Sequence, residues 1–386
     1  MHLSELKQKS IKDLASLASE HDIDGASSMR RQDLVFALLR SQADQGGPIV
    51  AEGVLEILPD GFGFLRAADN NYLPGPEDVY VSPSQIRRFN LHTGDAVGGQ
   101  VRPPKESERY FALLRVESVN TGEPEGQRTK RQFEELTATY PDEAFHLAGD
   151  GLSSKIIDAL CPIGKGQRCL VASPPRSGRT SLLQEIATAI EANHTDVDVL
   201  VLLVDERPED VTEMKRAVKG QVISSTFDEP PSRHIQIAEI VVEKAKRMAE
   251  TGRDVVLLID SLSSLARAYT DVDPTATHKA RRAFGAARNL EEGGSLTIIA
   301  TALVDSGSPA DEAAFDQLRG TANCEIRLDA GLRDQQVFPC VDVRRSITHK
   351  QERLLDGAAL DLAKDLRIAV ADLGPADALD AVIARL

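Results

Sequence analysis

The chain has 386 residues, of which 41% are apolar, so it is long enough to bury a large core and to form two or three domains. Its 45 lysines and arginines are outnumbered by 60 aspartates and glutamates. The net charge of −15 excludes nucleic-acid binding through bulk positive charge, so any such binding must be local.

Cysteine usage and hydropathy indicate the compartment. The four cysteines show no CxxC spacing and no companion histidine cluster, which favours reduced thiols and argues against a structural zinc site. The N-terminal segment has no cationic stretch followed by an apolar run, and no apolar stretch reaches 18 residues. We therefore expect a cytoplasmic protein that does not associate with a membrane.

Within the first 118 residues, the spacing of the apolar residues changes once, from a helical to a strand pattern. Apolar residues recur near helical period from Leu3 to about Arg40, which predicts an N-terminal helical domain over residues 1–47. Short alternating runs separated by turn signals then predict a five-stranded barrel of the oligonucleotide-binding, cold-shock-like type over residues 48–118. The predicted strands are Gly53–Leu58, Gly63–Arg66, Asp78–Val81, Ala96–Val101 and Phe111–Val116.

Aromatic and basic residues cluster in this barrel segment. Aromatic rings stack on bases at roughly 1–3 kcal/mol each, and neighbouring cations hold the nucleic-acid backbone. The alternative is that Phe62 and Phe64 are ordinary barrel core. The chain has only 11 phenylalanines, 5 tyrosines and no tryptophan, so this clustering favours nucleic-acid binding. The residues concerned are Phe62, Phe64, Tyr80 and Tyr110, beside Arg66, Arg87, Arg88, Arg102 and Lys105.

After a charged, turn-rich segment predicted to be a linker (119–152), strands alternate with helices over residues 153–386. Such alternation predicts an α/β domain with a mostly parallel sheet, whose ligands bind at the carboxyl ends of the strands. The predicted strands are Gln167–Ala172, Val197–Val204, Gln221–Ser225, Asp254–Ile259 and Leu296–Leu303. The predicted helices are Thr180–Ala192, Pro208–Arg216, Arg233–Thr251 and Ala280–Leu290.

The first of these strands runs into LVASPPRSGRTSLLQEI (170–186), which has the outline of a phosphate-binding loop. Such a loop presents backbone N–H groups to phosphates, a lysine reaches the terminal phosphates, and a Ser/Thr hydroxyl holds Mg²⁺. Here Ser173 and Gly178 stand at the glycine positions and Thr180 at the hydroxyl. Arg179 stands where lysine is expected. The loop is therefore altered at its most important side chain.

Two further strand ends supply acids. The strand VVLLID ends in Asp260, a position from which a carboxylate orients Mg²⁺ and its water. The strand VLLVDE ends in Glu206, placed to act as general base on an attacking water. Each acid alone is more often a strand-end cap or a surface charge. The altered phosphate-binding loop and these two acids, in order along one α/β domain, together predict a nucleotide site.

Nearly the whole chain resembles the bacterial transcription termination factor Rho family, which are hexameric RNA-dependent ATPases and helicases. The segments that carry the resemblance include DGFGFLRAADNNYLPGPEDVYVSPSQIRRFNL (60–91), DERPEDVTEM (205–214), STFDEPPSRH (225–234) and FGAARNLEEGGSLTIIATAL (284–303). The resemblance implies a RecA-like P-loop motor domain, ATP and Mg²⁺ as cofactors, and C-rich single-stranded RNA as ligand. It also implies a homohexamer or a ring mixed with another Rho, with RNA polymerase or elongation factors as further partners.

Site residues are implied position by position. The primary RNA site matches Phe62, Phe64, Arg66, Tyr80, Glu108 and Tyr110. The ATP-contacting segments match Gly164, Lys165, Gly166, Gln167, Arg168, Cys169, Arg176, Ser177, Gly178, Arg179, Thr180 and Ser181, with Arg207 near the phosphates and Phe338 where the family stacks adenine. Thr180 and Asp260 match the Mg²⁺ positions. The catalytic positions match Glu206, Asp260 and, in place of lysine, Arg179.

The departures from the family concentrate on ATP turnover. Arg179 replaces the lysine, and a planar fork cannot take the place of a compact ammonium without displacing phosphate or loop. His349 aligns with the family's arginine finger, whose loss typically costs 10³–10⁵ in rate. Gln336 aligns with the arginine that precedes VFP. The segment 270–283 is shorter than the family's glycine-rich RNA-gripping loop, and Arg319 begins the other channel loop, 319–323, where the family has lysine.

Three interpretations remain open. The first is a Rho-type ring protein that binds RNA but turns over ATP poorly and modulates termination by occupying RNA or joining active rings. The second is an ordinary ATP-driven RNA–DNA helicase that terminates transcription, with Arg345 or Arg344 as the finger. The third is a relative of rotary-ATPase subunits, which share the motor fold; the aromatic cluster of the barrel speaks against it.

Overall fold

The computed structural model describes residues 6, 9–23, 25–44, 47–105, 108–147, 149 and 151–386. The chain divides into two compact units, residues 1–130 and residues 131–386. Each unit is described by itself. None of the helices in the described ranges is long and apolar enough to cross a membrane.

The first unit begins with two helices, α1 (Ile11–Glu20) and α2 (Arg31–Asp44). Ser10 caps α1, because its hydroxyl accepts a hydrogen bond from Asp13 N at 3.2 Å and its own N–H donates to the Asp13 carboxylate. The buried leucines of both helices join one core cluster with the strands that follow. The predicted N-terminal helices are therefore confirmed, although Leu3 lies outside the described residues.

Five strands of the first unit close into a barrel in the order β1-β2-β3-β5-β4. All neighbours are antiparallel except β3 and β5, which are parallel. The prediction of a five-stranded barrel is confirmed, and only the strand ends differ. The elements are β1 (Ile49–Ile57), β2 (Gly63–Arg66), β3 (Val79–Val81), α3 (Pro83–Phe89), β4 (Ala96–Arg102) and β5 (Phe111–Val119).

The second unit is built on a mostly parallel sheet of order β14-β13-β7-β12-β10-β8-β9. A two-stranded extension, β11 and β6, pairs antiparallel with β12. The predicted parallel α/β domain is confirmed. Its strands are β6 (Ala138–Thr139), β7 (Arg168–Ser173), β8 (Asp198–Glu206), β9 (Gln221–Thr226), β10 (Asp254–Asp260), β11 (Arg288–Leu290), β12 (Ser295–Leu303), β13 (Cys324–Arg327) and β14 (Ile347–Thr348).

Helices cover the sheet, and apolar side chains of strands and helices form a large core cluster. These helices are α4 (Leu152–Leu160), α5 (Arg179–Asn193), α6 (Pro208–Ala217), α7 (Pro231–Ala249), α8 (Leu262–Val272), α9 (Lys279–Phe284), α10 (Pro309–Arg319), α11 (Ala330–Asp334), α12 (Gly357–Val370) and α13 (Pro375–Ile383).

One predicted helix is wrong in its second half. The helix expected over 280–290 ends at Phe284, and residues 288–290 form strand β11. The reason lies in the glycines. Gly285 ends the helix, and Gly293 and Gly294, with φ values of 102° and 81°, turn the chain back so that β11 pairs with β12.

Part of the predicted linker belongs to the second unit. Phe133 is fully buried, and its N–H donates to Glu250 Oε1 at 2.7 Å. Strand β6 pairs with β11, so residues 131–139 add to the edge of the sheet. Residues 131–139 of the predicted linker are therefore held by contacts within the second unit.

Candidate functional site

Four aromatic rings cluster on the outside of the barrel. Phe64 and Tyr80 are cross-strand partners on β2 and β3. The Phe64 ring centroid lies 4.8 Å from that of Tyr110, 5.8 Å from that of Phe62 and 6.1 Å from that of Tyr80. All four rings are half-buried and lie outside the barrel core, which is formed by the opposite parity of the same strands. The rings are therefore available for stacking with bases.

Beside the rings lies a groove of about 740 Å³, lined by Tyr80, Tyr110, Arg102, Glu108 and neighbouring residues. Arg102 and Glu108 form a two-pronged ion pair, with N–O distances of 2.5 and 2.8 Å. The hydrogen bond from Arg102 lowers the pKa of Glu108 to about 2. Glu108 is therefore an ionised acceptor at neutral pH, suited to an exocyclic amino group such as that of cytosine.

Arg66 differs from the other predicted RNA-binding residues. Its guanidinium is 5% exposed and contacts Glu56 Oε2 at 2.6 Å and the Asp78 carboxylate. Asp78 in turn accepts a hydrogen bond from Gly75 N at 2.7 Å. Arg66 also lies over the Phe64 ring, with its Cζ atom 5.0 Å from the centroid. The structure thus places Arg66 beneath the aromatic cluster, holding three strands together.

In the second unit, β7, β8 and β10 end at one edge of the sheet and bring the altered loop next to both acids. Gly178, with a φ of 86°, precedes α5 in the left-handed region that only glycine adopts freely. The buried Ser177 hydroxyl donates to Pro174 O at 2.8 Å and contacts Ser173 Oγ at 2.8 Å. The first-turn N–H groups of α5 therefore open onto an anion-binding site.

Arg179 bridges the two acids. Its Nη2 atom lies 2.6 Å from Glu206 Oε1, and its Nε atom lies 3.0 Å from Asp260 Oδ1. Glu206 is 7% exposed and Asp260 is fully buried. Burial of Glu206 and repulsion from Asp260 raise the pKa of Glu206 to about 7, against the opposing effect of Arg179. One guanidinium thus stabilises two desolvated carboxylates, and Glu206 ionises only near neutral pH.

The oxygens predicted to serve Mg²⁺ are engaged with protein groups. Asp260 Oδ2 accepts from Thr180 Oγ1 at 2.7 Å, and Oδ1 accepts from Thr301 Oγ1 at 2.6 Å as well as from Arg179. Mg²⁺ demands octahedral oxygen ligands at about 2.0–2.1 Å. Because protein donors already contact both oxygens of Asp260, neither oxygen is presented to a metal ion, and the residues as arranged do not fit Mg²⁺. In the described ranges, no group of three or more His, Cys, Asp or Glu side chains is placed to hold a metal ion.

The sequence prediction missed Thr301 and Arg333. Thr301 is a polar residue in the carboxyl-terminal half of strand β12, where its neighbours are apolar, and that contrast was a usable signal. Arg333 Nη1 donates to Pro175 O at 2.6 Å, so α11 holds the loop, but nothing in the sequence pattern indicates this contact.

The remaining nucleotide residues divide between the two edges of the sheet. Arg176 is exposed on the loop, Ser181 is exposed in the first turn of α5, and Arg207 is exposed where β8 ends. Phe338 is 62% exposed just after α11, the helix that contacts the loop. These residues lie on the side of the phosphate loop.

The segment Gly164–Cys169 lies at the opposite end of β7, about 20 Å away at 3.3 Å per strand residue. Gln167 Nε2 donates to Asn323 O at 2.9 Å, and Arg168 Nε donates to Thr321 O at 2.8 Å. Gly166, with a φ of 83°, lies so close to Asn289 that a Cβ atom would be 2.1 Å from its backbone nitrogen. The structure therefore brings this segment to the loop 319–323 and not to the phosphate loop of the same chain.

Arg319 and His349 also lie at this amino-terminal edge. Arg319 Nε contacts Glu325 Oε2 at 3.0 Å, and Arg281 Nε donates to Thr321 Oγ1 at 2.9 Å. His349 N donates to Asn323 O at 2.9 Å, at the start of β13. His349 thus lies a full strand length from the phosphate loop of its own chain.

The geometry defines a class of protein, in which a barrel with a nucleic-acid-stacking face is joined to a P-loop nucleotide-binding domain. Residues 5–47 match the Rho termination factor N-terminal domain. Residues 51–125 match the Rho termination factor RNA-binding domain, and residues 153–348 match the ATP synthase alpha/beta family nucleotide-binding domain.

Curated relatives agree over the full length. The chain is 52% identical over 372 residues to transcription termination factor Rho of Chromobacterium violaceum, covering 92% of this chain and 89% of the relative. It is 51% identical to Rho of Haemophilus influenzae and 49% identical to Rho of Escherichia coli K12, each covering 100% of this chain and 96% of the relative. The chain belongs to the transcription termination factor Rho family.

Solved structures of other proteins share the motor fold alone. An ATPase of the type III secretion system of pathogenic bacteria is 22% identical with a TM-score of 0.53, covering 61% of this chain and 70% of its own. The ATP synthase subunit NeqB of Nanoarcheaum equitans is 18% identical with a TM-score of 0.53, covering 62% of this chain and 64% of its own.

Proposed function

We propose that this chain acts in transcription termination as a Rho-type ring protein that binds C-rich single-stranded RNA and ATP but turns over ATP poorly. The barrel supplies RNA binding through the four clustered rings and the ionised Glu108. The protein modulates termination by occupying RNA or by joining rings of an active Rho, in contact with RNA polymerase or its elongation factors.

One observation carries the proposal for weak turnover: Arg179 pairs with both Glu206 and Asp260. A general base must have a free carboxylate oxygen within hydrogen-bond reach of the attacking water. Arg179 occupies Oε1 of Glu206 and opposes protonation of this carboxylate, and both oxygens of the predicted Mg²⁺ ligand Asp260 accept hydrogen bonds from protein groups. His349 adds a second deficit, because imidazole at the finger position supplies no permanent positive charge to the neighbouring site.

The test is ATP hydrolysis by the purified full chain with Mg²⁺ and oligo(C) RNA, beside the Rho of Escherichia coli. We expect comparable RNA binding and turnover reduced by about 10³-fold or more, the typical effect of losing an arginine finger. Turnover near that of the relative would refute the proposal and favour the second interpretation, an active RNA-dependent ATPase and 5′–3′ RNA–DNA helicase.

Ring formation is tested by mixing. If the chain joins rings of an active Rho, adding it should lower ATP turnover out of proportion to its fraction, because each subunit contributes to a neighbour's site. Light scattering that detects only monomers, with no mixed species, would contradict this part of the proposal.

A further inference from the structure

At the phosphate loop, an arginine side chain contacts the carboxylate that is predicted to serve Mg²⁺. The guanidinium of Arg179 lies within 3.0 Å of oxygens of both Glu206 and Asp260. It is 21% exposed, and both acids are buried. The guanidinium therefore pairs with the same carboxylates that would otherwise attract Mg²⁺.

The difference between arginine and lysine explains why this chain departs from its relatives here. The guanidinium is planar, has five N–H donors and stays charged, so it pairs with two carboxylates at once. A lysine ammonium is a compact point charge that pairs with one of them or with a phosphate. Arg179 therefore competes with a divalent ion for these two carboxylates and repels it by like charge.

Other groups at the same edge remain suited to phosphate. The first-turn N–H groups of α5 are directed at the loop, and helix N-termini attract anions. Arg176 and Arg207 are exposed on the loop and at the end of β8. These groups together provide positive charge for a triphosphate that carries no metal ion.

We propose that this site binds a nucleoside triphosphate without Mg²⁺, with Arg179 taking the place of the metal. The inference rests on the proposed function and deepens it. A nucleotide that is bound without metal is a structural ligand of the protein and not a substrate that it hydrolyses.

The test is calorimetric titration of ATP into the full chain, once with excess EDTA and once with excess Mg²⁺. We expect the two Kd values to agree within about threefold, well below the tenfold that corresponds to 1.4 kcal/mol. In Arg179→Lys, Mg²⁺ should tighten ATP binding by more than about tenfold. The matched control is Arg253→Lys, an arginine paired with Asp198 at the opposite edge of the sheet, which should keep the wild-type ratio.

A second variant distinguishes the effect of the Arg179 charge from misfolding of the Arg179→Lys variant. Arg179→Gln removes the charge, so ATP binding in EDTA should weaken by more than about tenfold while the melting temperature of the second unit is monitored by circular dichroism. Electron paramagnetic resonance of Mn²⁺ with ATP should detect no protein-bound metal in the unmodified chain and a bound fraction in Arg179→Lys.

Three results would overturn the inference: tenfold tightening by Mg²⁺ in the unmodified chain, absence of ATP binding in EDTA, or no gain of metal dependence in Arg179→Lys. Turnover separates this inference from the proposed function. Slow hydrolysis with metal-dependent binding leaves the proposed function standing and removes the inference. Rapid hydrolysis with Mg²⁺ removes the proposed function itself.

Discussion

Replacing Arg66 with methionine should destabilise the barrel rather than merely weaken RNA binding. Arg66 is the last residue of β2, and it contacts Glu56 on β1 at 2.6 Å and the Asp78 carboxylate just before β3. Methionine keeps the apolar stem but removes the cation from between two carboxylates. Removing one partner of a buried ion pair costs about 3–5 kcal/mol, because the remaining charge stays desolvated.

That cost predicts a specific hydrogen-exchange result. At 1.4 kcal/mol per factor of ten, the amides of β1, β2 and β3 should exchange roughly 10²- to 4 × 10³-fold faster in the variant. Mass spectrometry of the full chain measures this by peptide, and peptides from β7 and β12 in the second unit serve as an internal reference. RNA binding should fall only as a consequence of barrel opening.

The matched control is Arg102→Met, which removes an arginine from the exposed pair with Glu108. Exposed ion pairs contribute little to stability, so barrel protection should change far less than in Arg66→Met. Unchanged protection in Arg66→Met together with weakened oligo(C) binding would refute this reasoning and show that Arg66 acts on RNA directly.

Three further predictions concern the two sites. Phe64→Ala and Tyr80→Ala should each weaken oligo(C) binding by roughly 5- to 150-fold with melting unchanged; binding equal to wild type in both would exclude stacking. Arg179→Lys alone should restore little turnover, whereas Arg179→Lys with His349→Arg should raise kcat by more than about 100-fold, and strong rescue by the single change would show that another arginine is the finger. Because the pKa of Glu206 is raised to about 7, the folded state binds the extra proton, and stability should fall by roughly 3 kcal/mol between pH 4.5 and 7. Urea midpoints of Glu206→Gln should lose this pH dependence; an unchanged slope would contradict the assignment.

Much of the fold could be predicted because its signals are local. Alternating runs broken by turns predicted all five barrel strands, and the alternation of strands and helices predicted the parallel sheet. The helix expected over 280–290 failed because the glycine turn at 293–294 pairs β11 with β12, and such pairing depends on residues outside the window that sets helical period.

The sequence by itself determined which chemical groups are present: the rings at positions 62 and 64, and an arginine where lysine is usual at position 179. It did not determine what those groups touch. Only the strand order β7-β12-β10-β8 brings Arg179 to Glu206, 27 residues along the chain, and to Asp260. Only the pairing of β2 with both β1 and β3 places Arg66 between Glu56 and Asp78. Such contacts depend on how distant strands are ordered in a sheet, and no local periodicity in the sequence encodes that order.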